Sequence, residues 1–247
     1  MRYYVINYYT KGSKKVYTHY ERTGSGSPIV YLHGWGCNGS IFRPVTERLP
    51  DFTNYSIDFA GFGQSDSPPE SGWTVFDYAN ELIDFLDGQG LSAVTVVAHS
   101  FGCRVAAIVA VLRPELVSGL LLVAPAGLRK FSLKRWFKVC KYKLGKLFSK
   151  SEDCAHASDD YRNCAKNMRN TFVKVVNQDL SAYVRRITCP TLIVASRDDE
   201  AVPIKDARRY ARLVRSSELA EIDGDHFAFF YAPKAFAETV SLFVNRG

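Results

Sequence analysis

Residues 94–112, VTVVAHSFGCRVAAIVAVL, constrain this chain more than any other stretch, because a β-branched apolar run breaks at Ala98-His99-Ser100-Phe101-Gly102 and then resumes at helical spacing. Residues 94–98 read as a buried strand, and Val105, Ile108, Val109 and Leu112 recur on one face of a helix. Only a sharp turn joins the two. Ala98 and Gly102, small residues two before and two after the serine, let the backbone fold tightly enough to push the Ser100 side chain out of the turn. Ser100 is therefore a candidate nucleophile; the bland reading of the same residue is a helix cap.

The same strand-loop-helix rhythm runs through the rest of the chain. Residues 28–32 are an apolar run ending in His33-Gly34-Trp35-Gly36, followed by a helical stretch through Phe42 and Val45 to Leu49. Residues 55–58 read as a strand leading into Gly61-Phe62-Gly63-Gln64-Ser65, and residues 75–86 as a helix closed by Gly88. Further strands are expected at 119–124, 190–195 and 219–222, and a C-terminal helix at 235–244. The first twenty residues alternate around Lys11-Gly12-Ser13 and read as a hairpin at the sheet edge. Strands alternating with helices predict an α/β fold whose mainly parallel sheet is covered on both faces. Ligands of such sheets bind beyond the carboxyl ends of the strands, where these polar loops lie.

With 247 residues, 47% of them hydrophobic, the chain can bury a large core, and a single domain with one insertion suits that size. The opening MRYYVINYYTKG lacks the apolar core of a signal peptide, and no apolar run reaches the roughly 18 residues that span a bilayer, so the expected location is cytoplasmic. The six cysteines form no C-x-x-C pair and no metal-ligand spacing with histidine, so reduced thiols are expected, with no metal or other cofactor. The net charge of +7 is concentrated in residues 126–186, with fifteen Lys and Arg against five Asp and Glu. The charge belongs to an insertion, and no nucleic-acid partner is expected.

A serine hydroxyl is a weak nucleophile at neutral pH, so a base must take its proton and a third group must orient that base. Of five histidines, His19 falls in the N-terminal hairpin, His156 in the insertion, and His33 and His99 in the two sharp loops. His226 remains, in Asp223-Gly224-Asp225-His226-Phe227 between the last strand and the last helix. For the orienting acid, the strand at 190–195 runs into Ser196-Arg197-Asp198-Asp199-Glu200-Ala201-Val202-Pro203, where Asp198 and Asp199 are the candidates.

In the order serine, acid, histidine, the chain resembles the α/β-hydrolase superfamily over nearly all its length outside the insertion. The resemblance implies an α/β-hydrolase core over 1–125 and 187–247 with a short helical lid over 126–186. It also implies a triad of Ser100, Asp199 and His226, with Asp199 preferred to Asp198 because Val202-Pro203 follows it after two residues. His33-Gly34-Trp35-Gly36 resembles the family's oxyanion loop, which assigns the backbone N–H groups of Trp35 and Phe101 to the oxyanion hole, each worth about 3 kcal/mol. The run Asp58-Phe59-Ala60-Gly61-Phe62-Gly63-Gln64-Ser65-Asp66 resembles the family's turn after the next strand and is taken as structural. Ala98 and Ser196 stand where Gly is common. Asp225 precedes His226 where many members have Gly, and either raises the pKa of the histidine or faces solvent. A serine at position 100 argues against the dehalogenase and epoxide-hydrolase branches, which place an aspartate there.

Within the insertion, Leu133, Trp136, Phe137, Cys140, Leu144, Leu147 and Phe148 form one stripe of a basic helix, with Lys134, Lys138 and Lys141 around it. The stripe is expected to roof the pocket, and Trp35, Arg104 and Trp136 are candidate substrate contacts. The lysines either stay hydrated, steer an anionic acyl substrate, or rest on an anionic membrane surface. Arg104 has the spacing to Ser100 found in the menaquinone-pathway synthase of the superfamily, an eliminating enzyme; its ordinary role is pairing with a structural carboxylate. The HGWG loop is also similar to that of small carboxylesterases related to the pimeloyl-ester hydrolase of biotin synthesis. The expected function is a serine hydrolase cleaving a carboxylic ester or thioester, a small-molecule acyl substrate, through an acyl-enzyme. A lyase resembling that synthase and a non-catalytic binding module are the rivals.

Overall fold

A computed structural model describes residues 2–5, 16–128 and 165–246. The turn expected at Lys11-Gly12-Ser13, the stripe over 133–148 and Trp136 lie outside the described residues.

The strands are β1 (Arg2–Val5), β2 (Thr18–Thr23), β3 (Pro28–Leu32), β4 (Thr53–Ile57), β5 (Val94–His99), β6 (Val117–Val123), β7 (Thr191–Ser196) and β8 (Ser217–Ile222). They form one sheet in the order β1-β2-β4-β3-β5-β6-β7-β8. β1 and β2 pair antiparallel at one edge, β2 also runs antiparallel to β4, and every other neighbour is parallel. The helices are α1 (Arg43–Thr46), α2 (Val75–Gly88), α3 (Phe101–Leu112), α4 (Arg169–Asn177), α5 (Ser181–Val184), α6 (Ile204–Leu213), α7 (Ala228–Tyr231) and α8 (Pro233–Val244).

The apolar strands carry hydrophobic residues at consecutive positions because both faces are covered. Val30, Leu32, Val96, Ala98, Leu120 and Leu122 face the core shared with α2, α3 and α6. Ile29, Tyr31, Val97, Leu121 and Val123 point the other way, into the core under α1, α7 and α8. α3 is buried on more than its expected stripe: Ala106, Ala107 and Ala110 are buried beside Val105, Ile108 and Val109, while Leu112 is exposed. Small residues there let α2 lie against α3.

The turn after β4 departs from expectation. The strand occupies Thr53–Ile57 rather than 55–58, and Asp58 leaves the ladder. Its carboxylate accepts the N–H of Gly39 at 2.7 Å and of Gln64 at 2.9 Å and meets His19 Nδ1 at 2.8 Å. One carboxylate thus ties together the loops after β3 and β4 and strand β2. α2 begins in a capping box of Thr74 and Asp77.

The order of strands reverses at β3: β4 lies on one side and β5 on the other. The helix after β3 covers one face and those after β4 and β5 the other, so the loops following β3 and β5 diverge and leave a crevice at their carboxyl ends. The two sharp loops singled out from the sequence, at 33–36 and at Ser100, meet there.

Candidate active site

Ser100 joins β5 to α3 with φ +49° and ψ −103°, a backbone that non-glycine residues rarely adopt and that persists only where the surroundings enforce it. The surroundings here are specific. Ser100 N–H donates to Val123 O of β6 at 2.9 Å, and Ser100 O accepts from Cys103 N at 3.2 Å. Gly102 lies so close to Leu32 that an added Cβ would overlap the Leu32 carbonyl, so β3 and α3 approach only because that residue has no side chain. As the first residue of α3, Phe101 has no carbonyl one turn earlier for its N–H to reach.

His226 and Asp199 are brought together from loops 27 residues apart: His226 Nδ1 lies 2.7 Å from Asp199 Oδ2. The Asp199 side chain is 1% exposed and that of His226 18%. The other Asp199 oxygen accepts Val202 N–H at 2.8 Å, which fixes the carboxylate plane. With the Nδ1 proton directed at Asp199, Nε2 is left as the basic nitrogen. Asp198 is exposed, and its N–H donates to Gly224 O at 3.1 Å, joining the two loops through the main chain. Asp225 accepts Phe227 N–H at 2.8 Å and faces solvent.

In the loop after β3, His33 is fully buried and bonded on both ring nitrogens. Nδ1 donates to Gly34 O at 2.7 Å, and Nε2 accepts Phe59 N–H at 3.1 Å. Burial pushes its pKa down to about 4, so the ring is neutral at physiological pH and clamps the loop to the turn after β4. The half-buried Trp35 ring meets Phe101 at 5.4 Å, Phe62 at 4.9 Å and Phe172 of α4 at 5.1 Å. The two residues expected to supply oxyanion donors are thus ring neighbours.

Arg104, expected among the substrate contacts or beside a carboxylate, is used differently. Its Nη1 donates to the carbonyls of Val175 and Gln178, each at 3.1 Å, at the end of α4. The Gln178 side chain accepts Val75 N–H at 3.1 Å, and Leu180 N–H donates to Gly127 O at 2.9 Å. These bonds dock the end of α4 and the residues that follow it on α2 and α3. Helical spacing alone does not reveal that the Arg104 partners are carbonyls some 70 residues away.

Among the described residues, no group of three His, Cys, Asp or Glu side chains is arranged to hold a metal ion, and no helix is long and apolar enough to cross a membrane. A cleft of about 470 Å³ lined by Pro28, Thr95, Gly119 and Thr191 lies at the amino ends of the strands, the opposite end from Ser100.

The model of the alpha/beta hydrolase family matches residues 29–239. An uncharacterized protein of Mycobacterium tuberculosis is 39% identical over 108 residues, 43% of this chain; the match spans only 31% of that protein, about a third of its length. A pimeloyl-[acyl-carrier protein] methyl ester esterase of Vibrio vulnificus is 26% identical over 258 residues, covering 92% of this chain and 98% of its own. A thermophilic esterase from Thermogutta terrifontis superposes with a TM-score of 0.79 at 18% identity, over 100% of this chain and 98% of that one. From a match that takes in strands β3 to β8 and both loops of the crevice, the chain belongs to the alpha/beta hydrolase family.

Proposed function

We propose that the protein is a serine hydrolase that cleaves a carboxylic ester or thioester through an acyl-enzyme. The observation that carries this reading is the 2.7 Å contact of His226 Nδ1 with a buried Asp199 carboxylate, set against a serine held at positive φ one residue beyond the ring that packs against His226. The esterases among its relatives support an ester substrate.

In this reading His226 Nε2 takes the Ser100 hydroxyl proton as Oγ attacks the acyl carbon. The N–H groups of Trp35 and Phe101 stabilise the oxyanion, and the protonated His226 gives its proton to the departing alcohol or thiol. Water, deprotonated by His226, then releases the acid and restores the serine. Asp199 holds the imidazole in the correct tautomer and offsets its transient charge. Residues 126–186 form a cap between core segments 1–125 and 187–247, and Arg104 belongs to its mooring. No cofactor is required, and the substrate is a small acyl compound.

Labelling with a fluorophosphonate, wild type beside Ser100→Ala, tests the assignment, together with turnover of short and long nitrophenyl esters. Labelling and turnover are expected in the wild type and lost in the variant. A Ser100→Ala protein that keeps wild-type turnover would sink the nucleophile assignment, and an unreactive wild type would favour a ligand-binding role for the same fold.

A further inference from the structure

His99, the last residue of β5, is 1% exposed and immediately precedes Ser100. Its Nε2 lies 3.0 Å from the main-chain oxygen of His226, 127 residues away. A carbonyl only accepts, so Nε2 carries the proton. The His99 ring lies 4.6 Å from that of His226 and is flanked by Phe227 at 5.2 Å and Phe229 at 4.9 Å. On its other side the ring meets the loop after β3: a Cβ on Gly34 would stand 2.7 Å from His99 Nδ1, and Nδ1 has no hydrogen-bond partner among the described residues. A buried nitrogen without a partner is destabilising, a cost that an apolar side chain at this position would avoid. The bond made by the other nitrogen is what an apolar side chain lacks.

Resting on the hydrolase reading, we infer that His99 is a positioning residue that sets the loop of the general base against the nucleophile elbow and the oxyanion loop. It does so through one hydrogen bond to His226 O and through packing against Gly34. Its neutrality belongs to the device. Burial first and the neighbouring His226 second push its pKa down to about 3, outweighing the hydrogen bond to the His226 carbonyl and the Asp199 charge, which act the other way. A neutral ring puts no second positive charge beside His226 when that imidazole is protonated during turnover.

His99→Gln places an amide nitrogen the same number of bonds from Cα as the imidazole Nε2, whereas His99→Leu removes the donor. The leucine variant is expected to lose about 10- to 100-fold in kcat on a nitrophenyl ester with KM little changed, as for a sub-ångström misplacement. The pH at which its kcat/KM falls on the acid side should also move. The glutamine variant should keep both parameters near wild type. Equal losses in the two variants, or a folded leucine variant with wild-type kcat and pH profile, would overturn the proposal. Nitrogen NMR of the labelled wild-type protein gives a readout independent of activity and of the variants' stability. One ring, absent from the glutamine variant's spectrum, should remain a neutral Nε2–H tautomer from pH 8 to pH 5. An Nδ1–H tautomer, or protonation near the ordinary histidine value, would overturn the assignment of the bond. Failure of the wild type to turn over esters would sink the hydrolase reading and leave the NMR result to judge the contact.

Discussion

Asp198 and Asp199 are neighbours with the same side chain, and position alone separates them. Asp199 is buried, bonded through one oxygen to His226 and through the other to the N–H of Val202. Asp198 points to solvent. Asn at 199 keeps the shape but can present an N–H to His226 and stabilise the wrong tautomer. Asp199→Asn should therefore lower kcat by about 10³- to 10⁴-fold with a modest change in KM, while Asp198→Asn stays within about twofold. Steady-state kinetics of the two variants decide it, and the reverse pattern would move the acid to Asp198. The sequence offered both residues and preferred Asp199 by resemblance. It held no sign of which carboxylate the turn after β7 would bury, because that depends on the loop carrying His226.

At the scale of elements, the strands were legible because β-branched and apolar residues run unbroken where both faces of a sheet are covered, as in β3, β5 and β6. The short α7 was missed: Ala228–Tyr231 is one turn long, too short for periodicity to register, and it starts where Asp225 caps the chain after His226. The docking of α4 was equally hidden. Asn170 donates to Glu70 O at 2.9 Å, Lys174 to Gly72 O at 2.9 Å, and Arg104 to the carbonyls that end α4. Each bond joins residues some 70 or 100 apart to a main-chain oxygen, which leaves no trace in a pattern of side-chain types. Arg104→Met keeps the length of the stem and removes both donated bonds. It should cost about 2–3 kcal/mol in denaturant unfolding, since hydrogen bonds from a buried charged group exceed the neutral average. An unchanged unfolding midpoint together with a raised KM for anionic esters would instead return Arg104 to the substrate.

At the scale of the whole molecule, three fully buried ionisable groups among the described residues shape the pH dependence of stability between pH 3 and 8. His33 and His99 are pushed down to about 4 and about 3 by burial, so below their ordinary value of 6.5 the unfolded chain takes up protons that the native chain refuses. Stability therefore falls as pH drops from 6.5 toward 3. Glu81, fully buried under the Thr18 hydroxyl at 2.7 Å and the Ala60 N–H at 3.1 Å, is pushed up to about 8 by burial. From its ordinary 4.5 up to 8 the native chain keeps a proton that the unfolded chain releases, so this group lowers stability as pH rises. Two histidines outweigh one glutamate below 6.5, and from there to pH 8 Glu81 is the main contributor among the described residues. Maximum stability is expected near pH 6.5, with a loss of about 1–2 kcal/mol by pH 8. Glu81→Gln, which keeps an acceptor for both donors, should flatten the alkaline side; a slope as steep as wild type from pH 6.5 to 8 in chemical denaturation would exclude Glu81 as its cause.

The sequence by itself determined what depends on near neighbours: the alternation of strand and helix, the small residues that let the chain turn at Ser100, and the order in which serine, acid and histidine follow one another. It also set His33 and His99 at the two sharp turns, His99 as the last residue of β5, without a role for either. Only the tertiary structure decided which carboxylate reaches His226, where Arg104 spends its donors, and that His99 bonds across 127 residues to the main chain of the loop carrying His226. The physical reason is the same in each case. Turns and periodicity follow from steric and hydrophobic preferences local to a few residues, whereas a buried hydrogen bond exists only once the fold has excluded water from both partners.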